Sequence, residues 1–178
     1  MADDKKEPWL NALALTTVIL AVCATLSTFK GGGYSTRQML SQAKASDQWA
    51  YYQAKGVKGD LYELTAANAV LQRKVLDPRA SKDVQAAYDQ VAADYAKRVA
   101  RYKGEQEAIM AEARKLEDAR DDAARHGAPF GYAVIFLQIA ILLSSIAALL
   151  KRKPVWYLGL VVGVFGIVYF LDGFFLFI

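Results

Sequence analysis

The sequence predicts an all-α membrane protein: three transmembrane helices, with a long antiparallel helical hairpin of coiled-coil character between the first and second spans. Three observations predict it. The apolar blocks 10–29, 130–150 and 155–178 hold one ionised side chain between them, Asp172. The segment 35–126 repeats apolar residues at three- and four-residue steps and has one strong break, Leu76-Asp77-Pro78-Arg79. The second and third blocks are joined by only four residues, 151–154, three of them cations.

A bilayer core about 30 Å thick takes roughly 20 apolar residues in a helix. All three blocks reach that length. Residues 1–9 form an N-terminal tail and 10–29 the first span, with Trp9 and Lys30 at its ends. The second span, 130–150, is entered through Pro129 and stopped by Lys151-Arg152-Lys153; the third, 155–178, opens after Pro154 with Trp156 and Tyr157. Rings and cations at the ends suit the water–lipid boundary. A cleaved signal peptide fits the first block less well, because Val22 is too large before Cys23 and the apolar stretch is long for a signal core. The basic loop 151–154, with Lys5 and Lys6 in the tail, places those segments in the cytoplasm by positive-inside reasoning. The segment between the first two spans then lies outside the inner membrane.

Composition excludes several classes. One Cys and one His among 178 residues cannot supply a disulfide framework, a structural zinc or an Fe–S cluster. A net charge of +4, from 22 Lys+Arg against 18 Asp+Glu, is too mild and too mixed for a nucleic-acid partner. No cofactor is expected. His126 stands without a nearby nucleophile, and the carboxylates along 105–122 alternate with Lys and Arg as on a solvated helix face. An enzyme is therefore not expected.

The Gly-rich hinge 30–34 ends the first span, and Ser35 with Gln38 has the spacing of a capping box. The hairpin domain 35–126 turns near 77–80, because Pro78 cannot continue a helix. In the first arm the stripe Leu40, Ala43, Asp47, Ala50, Ala54, Val57, Leu61, Leu64, Asn68, Leu71, Val75 predicts the seam. The second arm offers Val84, Tyr88, Val91, Tyr95, Arg98, Tyr102, Glu105, Ile109 and Leu116, with Val99 and Ala113 as substitutes in its polar middle. Mirror geometry sets Asp47 near Lys115 or Arg114, an expected ion pair fixing register, and Asn68 is a second polar register point.

The string Asp47-Gln48-Trp49-Ala50-Tyr51-Tyr52-Gln53-Ala54-Lys55, with the apolar span and Gly-rich exit before it, resembles a bacterial membrane family catalogued as domain of unknown function 4337. The resemblance covers most of the chain. It implies this fold and a bacterial origin, and it transfers no catalytic residue. On the residues themselves, Ala45, Trp49, Tyr52, Gly56, Gly59 and Glu63 form a second stripe beside the predicted seam. Rings followed by glycines suit contact with another subunit or a partner helix. The alternative is packing against the chain's own second arm.

Asp172 lies near the far boundary of the third span, where a salt bridge to Lys30 is expected. Gln138, near mid-membrane, is expected to bond another helix. Small residues form packing ridges: Ala14, Thr17, Ala21, Ala24 and Thr28 on the first span, and Gly159, Gly163 and Gly166 on the third. The leading function is a membrane-anchored structural or assembly protein that self-associates. A subunit of a small oligomeric channel or transporter is the first alternative, with Thr17, Thr25, Gln138 and Ser144 as its scant polar groups. A sensor-like accessory protein needing a separate output partner is the second. The expected partners are the lipid bilayer, further copies of the chain and an unidentified protein.

Overall fold

The computed structural model describes residues 8–77, 79 and 81–177. Three helices make up almost all of them: α1 Pro8–Val75, α2 Lys82–Leu150 and α3 Lys153–Phe175. Among the described residues there is no strand. Each helix contains a stretch long and apolar enough to cross a membrane. Lys5, Lys6 and Pro78, on which the orientation and the turn were argued, lie outside the described residues. Beside Pro78, the Asp77 carboxylate accepts the Arg79 amide at 2.7 Å. Ser81 accepts the Val84 amide at its hydroxyl, 3.4 Å, which satisfies one of the first-turn donors of α2.

Two expected boundaries are absent. Gly31-Gly32-Gly33 does not end a helix; α1 runs straight through it, and no glycine takes a positive φ. Pro129 does not open a helix either; it sits inside α2. The glycines cost α1 about 1 kcal/mol each in propensity relative to alanine. Gly31 brings a return: a Cβ there would lie 3.2 Å from the Phe130 Cβ, so the residue lets α2 come close. Gly127 does the same opposite Tyr34, at 3.3 Å. Pro129 removes one rung from the hydrogen-bond ladder, which flanking turns and a packed neighbouring helix can tolerate in an apolar segment.

The chain divides into two compact units, Met1–Leu40 with Ala119–Ile178, and Ser41–Asp118. In the first unit, parts of all three helices pack through small residues. α1 buries Leu13, Leu20, Ala24 and Ser27; α2 buries Phe130, Ala133, Leu137, Ala140, Ser144 and Ala147. These positions recur at three-, four- and seven-residue steps, one face per helix. α3 buries Trp156, Gly159, Gly163, Gly166, Asp172 and Gly173. A Cβ on Gly159 would stand 3.2 Å from the Ala140 carbonyl oxygen, one on Gly166 2.7 Å from Leu137, and one on Gly173 2.7 Å from the Phe130 ring. Three bare backbone positions thus carry the contact of α3 with α2, as close packing in an apolar medium requires.

The expected ridge on α1 is turned partly away. Ala14 and Ala21 are exposed, Thr17 is half-buried and Ala24 is buried. Larger residues, Leu13 and Leu20, take the inner face because the glycines of α3 leave room for them: Gly163 lies against Leu20. Several hydroxyls in this unit turn back on their own helix, whereas the buried Ser144 hydroxyl does not. Thr17 donates to the Leu13 carbonyl at 2.8 Å, Thr25 to Ala21 at 2.9 Å and Ser27 to Cys23 at 2.8 Å. Each is thereby satisfied without a partner elsewhere.

Gly166→Leu is expected to destabilise the first unit by about 1–3 kcal/mol, the usual cost of overpacking a filled site. Gly33→Ala, with nothing within 4 Å of its Cβ, is expected to be neutral or stabilising. Thermal unfolding of the two variants in one detergent checks the contrast; equal melting points would mean that the glycines of α3 do not carry the contact.

Candidate functional site

The second unit pairs residues 41–75 of α1 with 82–118 of α2, and the partners run in opposite senses along the two helices. Trp49 donates its indole N–H to Glu117 at 2.9 Å, Lys55 reaches Glu105 at 2.6 Å, and Arg73 donates to Gln85 at 2.9 Å. The Tyr62 ring lies 5.4 Å from Tyr102 and 5.6 Å from Tyr95. On α1 the inward positions are Ser41, Ala45, Gln48, Tyr52, Lys55, Gly59, Tyr62, Ala66, Ala69 and Arg73, all buried or half-buried. Their steps alternate four and three without exception. On α2 the matching set includes Tyr88, Tyr95, Val99, Tyr102, Ile109, Ala113 and Leu116.

The stripe Ala45, Trp49, Tyr52, Gly56, Gly59 therefore faces α2 of the same chain. Ala45 is 1% exposed, and Trp49 and Tyr52 meet edge to face at 5.6 Å. Gly56 makes room for the Gln106 amide, which donates to the Tyr52 carbonyl at 3.4 Å, and Gly59 lies beside Tyr102. Glu63, grouped with this stripe in the sequence, is exposed and reaches Lys103 at 3.7 Å. Asp47 and Lys115 are not brought together: Asp47 is exposed, and Lys115 lies 3.6 Å from Glu112 on its own helix.

Lys55 is the polar centre of the inner face. Its ammonium bonds Glu105 and stands 5.0 Å from the Tyr102 ring and 5.4 Å from Tyr51. The hydrogen bond to Glu105 holds the Lys55 pKa above the ordinary lysine value. The same bond holds the Glu105 carboxyl below its own. A lysine kept as an ammonium clamps helices together and does not offer a free amine. Sequence reasoning sets Glu105 on the seam of the second arm but misses Lys55, because a lysine looks wrong for a seam; yet Lys55 falls on a strict three–four series with Tyr52, Gly59 and Tyr62.

The seam predicted on the second arm does face inward over most of its length, from Tyr88 to Leu116, but the one predicted on the first arm is the opposite, outward face. All eleven of its positions from Leu40 to Val75 are exposed, with Leu61 at 58%, Leu64 at 60% and Leu71 at 59%. Val84 and Val91 of α2 lie on the same border, and a groove of about 430 Å³ runs between the helices along Asn68, Gln72, Tyr88 and Val91. The outward side of α2 is charged by contrast, with Asp94, Lys97, Arg101 and Glu107 exposed.

In the first unit the expected pair Lys30 and Asp172 is also replaced. The Lys30 ammonium stands 5.7 Å over the Phe174 ring. Asp172, 4% exposed, accepts the Phe177 amide at 2.7 Å with its carboxylate and the Leu176 amide at 2.8 Å with its carbonyl. It thus closes the end of α3, where Leu176 takes the left-handed conformation. His126 donates its Nδ1 hydrogen to the Gly173 carbonyl at 2.9 Å, satisfying another free carbonyl of that last turn. The His126 ring stacks on Tyr34 at 5.1 Å, and Tyr34 in turn on Phe130 at 5.9 Å. Gln138 is exposed on α2, within the apolar stretch. Among the described residues, no three of His, Cys, Asp or Glu are grouped so as to hold a metal ion.

A family model described as a domain of unknown function, DUF4337, matches residues 9–176. No curated protein and no solved structure matches the chain.

The pH dependence of the second unit follows from the two shifted groups. A carboxyl with a lowered pKa stabilises the folded form above its ordinary value, near 4.5, and loses that contribution as pH falls through the lowered one. A lysine with a raised pKa contributes below its ordinary value, near 10.5, and loses it as pH rises through the raised one. Glu105→Gln is expected to lower resistance to limited proteolysis at pH 7 and to converge with the unaltered chain in strong acid. A deficit that persists undiminished in strong acid would mean that Glu105 acts by packing and not by charge.

Proposed function

The chain belongs to the domain of unknown function 4337 family, and we propose that it is a membrane-anchored structural or assembly protein that associates with copies of itself. In this reading the apolar segments of α1, α2 and α3 are three spans. Residues 41–118 form a helical hairpin with coiled-coil packing outside the inner membrane, and the basic loop 151–154 lies in the cytoplasm. The protein works by holding a spacing and presenting a surface, with no reaction of its own.

The observation that carries the reading is the outward face of α1. Exposed leucines and valines recur there over many turns, on the side away from α2. A contiguous apolar strip on a soluble segment marks an interaction surface. The titratable groups of the inner face support the same reading, because Lys55, Glu105, Glu117 and Arg73 bond one another's helices. The channel alternative draws less support. Thr17 and Thr25 give their hydroxyls to their own helix, and Ser144 is buried beside Gly159 at the contact of α2 with α3.

Light scattering on the gently solubilised protein, with the detergent mass subtracted, is expected to give a discrete multiple of 19.6 kDa. The mass of a single chain would overturn self-association.

A further inference from the structure

Resting on that reading, we propose that residues 57–75 of α1 pair with the same residues of a second copy in a parallel two-stranded coil, with Asn68 against Asn68 setting the register. The outward positions read as heptads. Val57, Leu64 and Leu71 occupy d, and Leu61, Asn68 and Val75 occupy a. All six are exposed. Leucine at d suits a two-stranded parallel coil, and one asparagine at an a position specifies partner number and register at some cost in stability. A single polar residue on an otherwise apolar strip is explained when its amide meets an equal amide across the seam.

The flanks fit a second copy. In a parallel pair each g position faces the e position of the following heptad, which sets Gln53 beside Lys58, Asp60 beside Thr65 and Ala67 beside Gln72. No like charges meet. Towards residue 40 the stripe changes character: Ala43, Ala50 and Ala54 are small, and Asp47 at an a position would face its own copy. Like charges there limit the seam to the stretch beyond Val57. Direction follows from insertion. Two copies inserted the same way in one bilayer send residues 57–75 away from the same end of the same span.

A separate observation asks for the same partner. Gln138 is exposed on the face of α2 that carries exposed Ile135, Ile139 and Leu142. It lies eight residues into the apolar block 130–150, about 12 Å at 1.5 Å per residue, so inside a hydrocarbon core about 30 Å thick. An amide in that place seeks a partner on another helix. Both the apolar strip and the lipid-facing amide are thus left open by the chain's own fold, and a second copy supplies an equal group for each.

The test is disulfide cross-linking of the full chain in membranes, with Cys23 replaced by Ala so that each introduced thiol is the only one. Leu64→Cys and Leu71→Cys, each alone, are expected to give a species of twice the chain mass. Lys97→Cys on the charged side of α2 is expected to stay single. A mixture of Leu64→Cys and Leu71→Cys chains is expected to link like with like, and Asn68→Leu to relax that restriction so that 64-to-71 links form. Mixed links with Asn68 present would overturn the register. Thiols at 64 and 71 that stay unlinked, while light scattering still gives a multiple of the chain mass, would overturn the seam and leave self-association standing. Unlinked thiols together with a single-chain mass would overturn both.

Discussion

A helix with two stripes at three- and four-residue spacing can bury only one of them against a single partner helix. In α1 the buried stripe is the less apolar one. It holds Tyr52, Tyr62, Trp49 and two cations, Lys55 and Arg73, and it meets Glu105, Glu117, Gln85, Tyr95 and Tyr102 of α2. Hydrophobic burial alone would favour the leucines. The polar stripe has contacts specific to this partner: Trp49, Lys55, Tyr62 and Arg73 each meet a matching group of α2, while Leu61, Leu64 and Leu71 stay exposed. Rings add area and directional contacts together, and Lys55 shares both kinds, with Glu105 on one side and the Tyr102 ring on the other.

The first unit obeys a different constraint. Where an apolar medium surrounds the helices, apolar burial gives little preference for helix contact over lipid, and close approach must supply the attraction. The glycines do this. Gly159, Gly163 and Gly166 meet α2 or α1 at distances that would not accept a Cβ without movement, and Gly173 receives the edge of the fully buried Phe130 ring. Phe130 also meets Phe170 and Phe174 edge-on, so a single ring ties α2 to the last turns of α3. That turn is closed by Asp172 and His126 through main-chain groups. A charged residue in an apolar block thus serves the helix end.

Much of this was legible in the residues. Three apolar blocks and one polar segment gave three helices with apolar stretches, and the break at 76–79 separated α1 from α2. The spacing of Gly159 and Gly163 marks packing positions, and both are buried. The inversion of α1 was harder. Both stripes share the heptad spacing, and hydropathy ranks the leucine stripe first. The signal against it was a mirrored pairing of polar residues, Lys55 with Glu105 and Trp49 with Glu117, which no single-helix pattern displays. Gly31-Gly32-Gly33 and Pro129 misled for a related reason. Local propensity reads them as breaks, whereas contacts opposite Gly31 and Gly127 decide in favour of helix. Asp47 with Lys115 was inferred from a seam on the other face, and it fell with that seam.

The order in which the two faces of α1 are used bears on how an assembly would form. The inner face is joined within the chain, where the two helices are covalently linked and need no concentration to meet. The outer face depends on encounter. Three heptads of leucine and valine interrupted by one asparagine make a short seam, and short helical pairs are marginal when free in solution. Confinement to a membrane changes that balance. Copies held in one plane with one orientation meet at a raised effective concentration and lose less freedom on pairing. A weak seam on a membrane-held helix can therefore associate without being strong enough to aggregate unanchored chains. In the proposed pair the asparagine would lower the strength of a contact that a membrane anchor favours, and would select the partner with an equal residue at an equal height.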